Sequence, residues 1–335
     1  MEFSNIREVI KNEPRYRTDQ IMRAVFVDLV EDWDKVTGLS KKLREELKKK
    51  CPLEIKGEIF ISSNEDSVKV LMPLVDGKLI ETVLMMYKGE RNSVCVSCQV
   101  GCPMGCKFCA TGKMGLIRDL TTDEIVSQVL FFSRYLKKEK KRVRSVVFMG
   151  MGEPFANYEN VIGAIRLMHD PKGLGLGARR FSISTCGLVK GIQKLAKEEL
   201  DVNLAISLHA SNDTIRRKIM PVAQTYTIKE LLEVVDDYIA VKHRKVMFEY
   251  LMISDLNDRD EHALELAKLM KGKLYVVNLI SYNSTGEFKS STQKRMKHFK
   301  NILEENGVEV TIRYRFGRDI QGACGQLATE KGKHQ

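Results

Sequence analysis

Hydrophobic positions divide the chain into three stretches with different periodicity. Over residues 6–50 the apolar side chains recur at helical spacing, as in Ile21, Ala24, Val25 and Leu29. The spacing predicts three helices, at residues 6–10, 19–33 and 40–50. We therefore expect residues 1–52 to form a small helical domain.

Residues 53–93 change to short segments in which apolar and polar positions alternate, which is typical of β-strands. Asp76-Gly77 lies between two of these segments and fits the turn of a β-hairpin. We predict an antiparallel hairpin sheet that connects the helical domain to the rest of the chain. Glu81, within the segment IETV, is expected to be an exposed strand residue.

From residue 94 onward, strand-like runs alternate with helical patterns. Thr121 and Glu124 form a capping-box pattern that opens one helix. The predicted strands are residues 145–149, 181–184, 202–207, 245–252, 274–279 and 308–313. The predicted helices between them include residues 228–238, 262–270 and 293–305.

This alternation predicts an α/β fold with a parallel sheet, either open or curved into a partial barrel. In both arrangements functional residues collect in the loops at the carboxyl ends of the strands. We assign residues 94–328 to this domain, and residues 329–335 to a disordered tail.

The composition of the chain indicates its cellular compartment and a class of binding partner. The chain has 335 residues, 43% of them hydrophobic, so it can bury a large core. No apolar run reaches the ~18 residues of a membrane span, and the polar start does not resemble a signal peptide, which predicts a cytoplasmic protein. The net charge of +11 favours a polyanionic partner such as nucleic acid. Solvated lysine-rich helices are the alternative explanation.

Three cysteines, Cys102, Cys106 and Cys109, stand in a Cys-x3-Cys-x2-Cys arrangement within CVSCQVGCPMGCKFCATG. A short loop with this spacing can surround an iron–sulfur cluster. Three ligands leave one iron of a 4Fe-4S cluster open to bind a small molecule. A zinc site is the main alternative, but no second Cys or His pair follows at the expected distance. Disulfide frameworks are typical of short secreted chains, which this chain does not resemble.

Polar residues or glycines also follow several predicted strands. They are Gly152 and Glu153, Ser184, the run Ser207-Leu208-His209, and Asn283. Each alone is more often a turn residue or a helix cap, but together they predict a polar ring at one end of the sheet. Cys324, between small residues in GACGQLA, lies on a loop that could bring a thiol into this ring. A buried structural cysteine is the alternative.

The motifs CVSCQVGCPMGCKFCATG, GMGEP, ISTCG, ISLHA and GACGQLA occur in this order. The chain resembles the RlmN/Cfr family of radical S-adenosylmethionine (SAM) RNA adenine methyltransferases from about residue 17 to residue 328. The resemblance implies a partial (βα)6 TIM-type barrel of the radical SAM kind. It also implies a 4Fe-4S cluster held by Cys102, Cys106 and Cys109, and two SAM molecules per turnover.

The resemblance also implies roles for the remaining candidate residues. Cys324 would accept a methyl group and carry it as a radical to adenine, and Cys95 would resolve the adduct by forming a transient disulfide with Cys324. Glu81 matches the proton acceptor of the family. SAM would be bound by Gly152, Glu153, Ser184, Ser207, Leu208, His209 and Asn283. Cys98 and Cys186 stand where the family commonly has serine, so Cys98 is a second candidate for the resolving thiol.

Within the family, Val100 and Pro154 favour methylation of adenine carbon 2, as in RlmN, over carbon 8, as in Cfr. RlmN-like enzymes act on 23S rRNA at the peptidyl-transferase centre and on the adenine 3' to the anticodon of tRNA. The resemblance further implies a monomer that receives electrons from a donor such as flavodoxin or ferredoxin. A non-catalytic RNA-binding metal protein and a radical SAM enzyme for a small molecule are the other hypotheses.

An RNA substrate would explain the excess of positive charge. The candidate phosphate contacts are residues 137–144, 179–180, 216–218 and 313–318, and the helical domain could grip folded RNA by its shape.

Overall fold

A computed structural model describes residues 3–314 and 316–328 of the chain. The helices are α1 (Phe3–Val9), α2 (Arg15–Phe26), α3 (Lys41–Lys50), α4 (Ala110–Lys113), α5 (Thr122–Lys137), α6 (Tyr158–His169), α7 (Val189–Lys197), α8 (Asp213–Ile219), α9 (Ile228–Lys242), α10 (Asp260–Met270) and α11 (Gln293–Glu305). The strands are β1 (Glu58–Ile61), β2 (Ser67–Pro73), β3 (Leu79–Tyr87), β4 (Arg91–Cys95), β5 (Gln99–Gly101), β6 (Leu116–Asp119), β7 (Val143–Phe148), β8 (Phe181–Thr185), β9 (Asn203–Ser207), β10 (Val246–Met252), β11 (Tyr275–Ser281) and β12 (Val310–Ile312).

Ten of these strands form one sheet in the order β1-β2-β3-β4-β7-β8-β9-β10-β11-β12. The pairs from β4 onward are parallel, and helices α5, α6, α7, α9, α10 and α11 follow the first six parallel strands in turn. The sheet keeps two free ends, β1 and β12, so the six β–α units make a partial barrel. The predicted α/β fold is confirmed.

The predicted antiparallel segment is part of this same sheet. Strands β1, β2 and β3 pair antiparallel and reach the parallel strands through β4. Gly77, with φ of +79°, lies in the predicted turn between β2 and β3. Both faces of β2 and β3 are buried. Helices and loops therefore cover this part of the sheet on both sides.

The amino-terminal helices pack against the barrel through α5. The Arg134 guanidinium donates to the carbonyl oxygens of Leu53 and Val30, each at 2.7 Å. Trp33 is buried, and its indole N–H donates to the carbonyl of Cys51 at 2.8 Å. The predicted helix at residues 19–33 is too long, because α2 ends at Phe26 and Leu29 has a φ of +52°.

The predicted tail, residues 329–335, lies outside the described residues. In the described part of the chain no helix has both the length and the apolar character needed to cross a membrane.

Candidate active site

The cysteine loop follows β4, the first parallel strand, and is folded tightly by glycines. Gly101 has a φ of +77°, and a Cβ there would lie 1.9 Å from the carbonyl oxygen of Gly115. The amide of Cys102 donates to this same carbonyl at 2.9 Å. Only glycine allows the two backbones to approach so closely. The loop is therefore closed at its base, and its cysteines share a cavity with residues from the carboxyl ends of the parallel strands.

The segment that carries Cys324 lies directly on the cysteine loop. The amide of Ala110 donates to the carbonyl of Gly325 at 2.8 Å. The Thr111 hydroxyl donates to the carbonyl of Leu327 at 2.6 Å. The two distant parts of the sequence thus form one wall of the site.

An interior cavity of about 140 Å³, here called the main cavity, opens beneath this wall. A single water occupies roughly 10–15 Å³ of such a space, so the cavity is large enough for a ligand. All three loop cysteines line it. Of the other predicted site residues, Gly152, Glu153, Ser184, Ser207, His209 and Cys324 also line it. Most of the predicted polar ring therefore lies around one cavity, at the carboxyl ends of β7, β8 and β9.

Glu153 is the buried acid of the main cavity. Its two carboxylate oxygens accept the amides of Phe155 at 3.0 Å and Cys186 at 2.8 Å. Burial raises the pKa of Glu153, and the two backbone hydrogen bonds oppose that rise. The amides fix the carboxylate but leave it further lone pairs. A cationic ligand such as an ammonium group would restore the balance of charge.

His209 presents a fixed hydrogen-bond donor to the main cavity. Its Nδ1 accepts the amide of Leu251 at 3.1 Å, so the neutral ring carries its proton on Nε2. Burial, with a smaller effect from the Arg216 charge, lowers the pKa of His209 to about 3. The ring therefore remains neutral across the physiological range.

A buried ion pair links the main cavity to a second, smaller one. It was not predicted from the sequence as part of the site. Glu249, in the interior of β10, accepts from Arg313 at 2.7 Å and from the Ser184 hydroxyl at 3.1 Å. Glu249 lines the main cavity, whereas Arg313 lines the smaller one. Burial alone would lower the pKa of Arg313, but neighbouring Cys324 and Glu249 raise it above its ordinary value.

The smaller space, here called the thiol cavity, measures about 40 Å³ and is lined by both Cys95 and Cys324. Burial and the nearby Cys324 raise the pKa of Cys95 to about 12. Burial also raises the pKa of Cys324, and Arg313 opposes that rise. Cys98 is buried and lines neither cavity. Of the two candidates for a second thiol, only Cys95 faces Cys324 across a cavity.

Four of the predicted site residues do not line the main cavity: Cys95, which lines the thiol cavity, and Leu208, Asn283 and Glu81. Leu208 is fully buried, and its amide donates to the carbonyl of Glu249 at 3.1 Å. Asn283 lines the thiol cavity, where its amide group donates to the carbonyl of Cys324 at 3.2 Å. Glu81 lines neither cavity, and the expectation that it is exposed is wrong. Only 5% of Glu81 is exposed, because both faces of β3 are covered.

Two arginines among the candidate phosphate contacts are also placed differently from the prediction. Arg216 is fully buried and donates to the carbonyls of Cys186, Leu208 and Tyr226, so it cannot reach a phosphate. Arg313 is committed to Glu249 inside the barrel. Arg315 lies outside the described residues.

The basic runs at residues 137–144 and 179–180 lie at the amino ends of β7 and β8. The main cavity lies at the opposite end of these strands. An RNA that touched both places would have to extend along the barrel.

Comparison with known proteins decides the family. Residues 96–267 match the model of the radical SAM superfamily, and residues 6–53 match that of the ribosomal RNA large subunit methyltransferase N-terminal domain. A probable dual-specificity RNA methyltransferase RlmN of Dictyoglomus turgidum is 44% identical over 330 residues, which cover 97% of this chain and 94% of the relative. The chain belongs to the RlmN family of radical SAM RNA methyltransferases.

Two further relatives agree with this assignment to the RlmN family. The ribosomal RNA large subunit methyltransferase N of Nitrosopumilus maritimus is 42% identical, with 94% of this chain and 93% of the relative covered. The crystal structure of a radical SAM methyltransferase from Sphaerobacter thermophilus superposes with a TM-score of 0.94 at 42% identity, covering 98% of each chain. Membership in the superfamily implies a 4Fe-4S cluster and SAM as cofactors. Membership in an RNA methyltransferase family implies an RNA substrate.

The residues of the main cavity fit such a cluster by the chemistry of their donors. Burial raises the pKa of Cys102 to about 12 and raises that of Cys106 as well. A buried thiolate is therefore unfavourable here unless a cation binds it, as iron would. Within the described ranges no three His, Cys, Asp or Glu side chains converge tightly enough for a single metal ion. The fit to a cluster rests on the three thiols sharing one cavity wall.

Proposed function

We propose that this enzyme methylates carbon 2 of an adenine at the peptidyl-transferase centre of 23S rRNA and of the adenine 3' to the anticodon in tRNA. Relatives that match nearly the whole chain carry the name of a dual-specificity RNA methyltransferase. The amino-terminal helices match the domain model named for the large-subunit rRNA enzyme. Both findings support the RlmN-like reaction over methylation at carbon 8.

The placement of Cys324 carries this proposal. Cys324 lines the main cavity together with the three loop cysteines, and it also lines the thiol cavity together with Cys95. A group attached to the Cys324 sulfur can therefore meet a ligand in the main cavity and then the Cys95 thiol in the thiol cavity. A methyl carrier with a separate resolving thiol requires such an arrangement.

When bound by Cys102, Cys106 and Cys109, the cluster would supply the open iron and the electron that cleave SAM to a 5'-deoxyadenosyl radical. Cys324 would first take a methyl group from one SAM by displacement, losing its thiol proton. A second SAM would then provide the radical that removes one hydrogen from this methyl group. The resulting carbon radical would add to adenine, whose carbon 2 is not nucleophilic enough to attack SAM directly.

Cys95 would release the product. Once the adduct has given up a proton and has returned one electron to the oxidised cluster, the base would be linked through a methylene group to the Cys324 sulfur. The sulfur of Cys95 attacks that of Cys324, the carbon–sulfur bond breaks, and its electron pair passes to the carbon, which takes up a proton. The two thiols are oxidised to a disulfide, the carbon is reduced to a methyl group, and an external reductant must restore the thiols. We assign the adduct proton to Glu81.

Other residues of the main cavity would hold SAM. The Glu153 carboxylate would take the ammonium group, and Nε2–H of His209 would donate to a polar group of the ligand. At Gly152 a Cβ would lie 2.6 Å from the Cβ of Gln99, so glycine lets this turn pack against β5, and the Gly152 backbone would contact SAM. Further SAM contacts are proposed for Ser184, Ser207, Leu208 and Asn283.

We also propose how the chain is divided. Residues 1–52 would be an RNA-binding domain, residues 53–93 a β-rich connector, and residues 94–328 the catalytic barrel. The exposed parts of the basic runs at residues 137–144 and 179–180 would contact RNA remote from the target base. We expect a monomer that obtains electrons from a flavodoxin or a ferredoxin.

Mass spectrometry of rRNA and tRNA adenines from cells with and without the gene tests the proposal. We expect 2-methyladenine to disappear from both RNAs without the gene and to return with the intact gene. Cys106→Ala should abolish SAM cleavage and methylation, whereas Cys324→Ala should abolish methylation alone. Loss of 8-methyladenine would instead indicate the Cfr-like reaction, and a colourless, zinc-loaded protein with full activity would refute the radical mechanism.

A further inference from the structure

A buried lysine in the antiparallel part of the sheet has no part in the mechanism above. Lys69 in β2 is 1% exposed, and its Nζ lies 2.9 Å from Oε1 of Glu81 in β3. The Phe60 ring covers the ammonium group, with its centroid 5.3 Å away. An ion pair so completely removed from water is costly unless its geometry is good and further hydrogen bonds satisfy both groups.

The strand register directs this pair toward the thiol cavity. Lys69 is paired with Val83, and Val83 is paired in turn with Cys95. Directly paired residues point to the same face of a sheet, as do residues two apart on one strand. Lys69, Glu81 and Cys95 therefore share one face.

The carboxyl-terminal segment crosses this face and is bound by Glu81. The second carboxylate oxygen, Oε2, accepts the backbone amide of Ala328 at 2.8 Å. Ala328 follows Leu327, which lines both cavities, and lies four residues after Cys324. Nearer Cys324, the segment is held by the Thr111 hydroxyl, the Ala110 amide and the Asn283 side chain. The contact with Glu81 is an attachment of this segment to the antiparallel strands.

We propose that Lys69 is a positioning residue: by fixing the Glu81 carboxylate against the Ala328 amide, it holds the segment that carries Cys324 in place between the two cavities. The consequence for catalysis rests on the proposed role of Cys324 as methyl carrier. The attachment itself does not depend on that role. It adds a function for Glu81 apart from any transfer of a proton.

Electrostatics explains why the lysine is needed. The ammonium group of Lys69 donates a charge-assisted hydrogen bond to the Glu81 carboxylate at 2.9 Å, and such bonds are about twice as strong as neutral ones. Without Lys69 the carboxylate loses this orienting contact and holds the Ala328 amide less well. Arginine at position 69 would retain the positive charge, whereas methionine would retain only the length of the side chain.

Amide hydrogen exchange measures the attachment directly. In Lys69→Met we expect the Ala328 amide to exchange about tenfold faster or more, the range expected for loss of a hydrogen bond to a charged group. Lys69→Arg should restore most of the protection, and exchange in α9 should not change in either variant. Lys300→Met, which breaks an exposed pair with Glu304 at 3.1 Å, serves as the matched control.

Methyl transfer measures the consequence. In Lys69→Met, methylation of Cys324 and of RNA should fall about tenfold or more, in proportion to the loss of protection. Cleavage of SAM and cluster content should remain within about twofold of the unaltered enzyme, because the main-cavity contacts are unchanged. A merely structural defect would lower all four together and would not be rescued selectively by arginine.

A second variant keeps the test decisive if Lys69→Met folds poorly. Lys69→Met/Glu81→Met removes both partners of the pair, so neither is left buried without the other, and it should fold while still losing protection at Ala328. Unchanged exchange at Ala328 in a folded variant would overturn the proposal. If the unaltered enzyme methylated no RNA, the proposed function would fail, but the exchange result would still decide the role of Lys69.

Discussion

Breaking the ion pair between Glu249 and Arg313 should destabilise the protein strongly. The two side chains are 5% and 19% exposed, and their N–O distance is 2.7 Å. Arg313→Met leaves the Glu249 carboxylate buried, with the Ser184 hydroxyl as its remaining side-chain hydrogen-bond donor in the described structure. Removing one partner of a buried pair costs about 3–5 kcal/mol.

This cost can be converted into a melting temperature. Unfolding entropy is about 2.1 cal/mol/K per residue, or roughly 0.7 kcal/mol/K for 335 residues. We therefore expect Arg313→Met to lower Tm by about 4–7 °C. Arg313→Met/Glu249→Gln should regain part of this loss, because no charge is then left unpaired.

Differential scanning calorimetry of equally loaded proteins measures these shifts. Lys245→Met is a suitable control, because it breaks an exposed pair with Glu309 that contributes about 1 kcal/mol at most. Peptide mass spectrometry should also show slower alkylation of Cys324 in Arg313→Met at the same pH, since Arg313 lowers the pKa of that thiol. A Tm within 1 °C of the control, or a double variant less stable than the single one, would refute this account of the pair.

Three further predictions concern the two cavities. In an NMR titration His209 should stay neutral from pH 7 to below pH 5, because its pKa is lowered to about 3, and a titration midpoint above pH 6 would contradict this. The stability that the neutral ring contributes should be complete above about pH 6.5, the pKa of His in the unfolded chain, and should be lost as the pH falls toward 3. Gly112→Ala should reduce iron and sulfide content several-fold, because the added Cβ would lie 2.8 Å from the Cys106 carbonyl oxygen. Gly177→Ala, where the added Cβ would have nothing within 4 Å, should keep full iron content, and equal iron content in the two variants would show that the cysteine loop tolerates the change. Cys95→Ala should accumulate a covalent complex of RNA with Cys324, visible on denaturing gels. Cys98→Ala should methylate RNA at a rate within about twofold of the unaltered enzyme, and the reverse pattern would make Cys98 the resolving thiol.

The sequence predicted the barrel well because its strands are short apolar runs separated by long helices. The helix at residues 293–305 was predicted with its observed bounds, and the strand at 245–252 begins one residue later than predicted. The amino-terminal region was less predictable, since apolar spacing continues to Leu29 beyond the true end of α2. The positive φ at Leu29 leaves no trace in the apolar pattern.

Buried charges were the main failure of prediction. Lys69, Arg216, Glu249 and Arg313 are charged residues that sequence patterns place on the surface, yet tertiary partners hold them inside. The alternating pattern around Glu81 indicated one solvated face, but the carboxyl-terminal segment covers that face. Partners far apart in sequence, such as Glu81 and Ala328, are not visible in periodicity or spacing.

The central claim is that the new methyl group passes through Cys324 as a carbon radical. Isotope content of the product tests this most directly, using SAM with a fully deuterated methyl group and RNA in ordinary water. Because one deuterium is removed from the Cys324 methyl group and one proton is returned on release, we expect 2-methyladenine with two deuteriums in the methyl group. A methyl group with all three deuteriums would show direct transfer from SAM and would contradict the role assigned to Cys324.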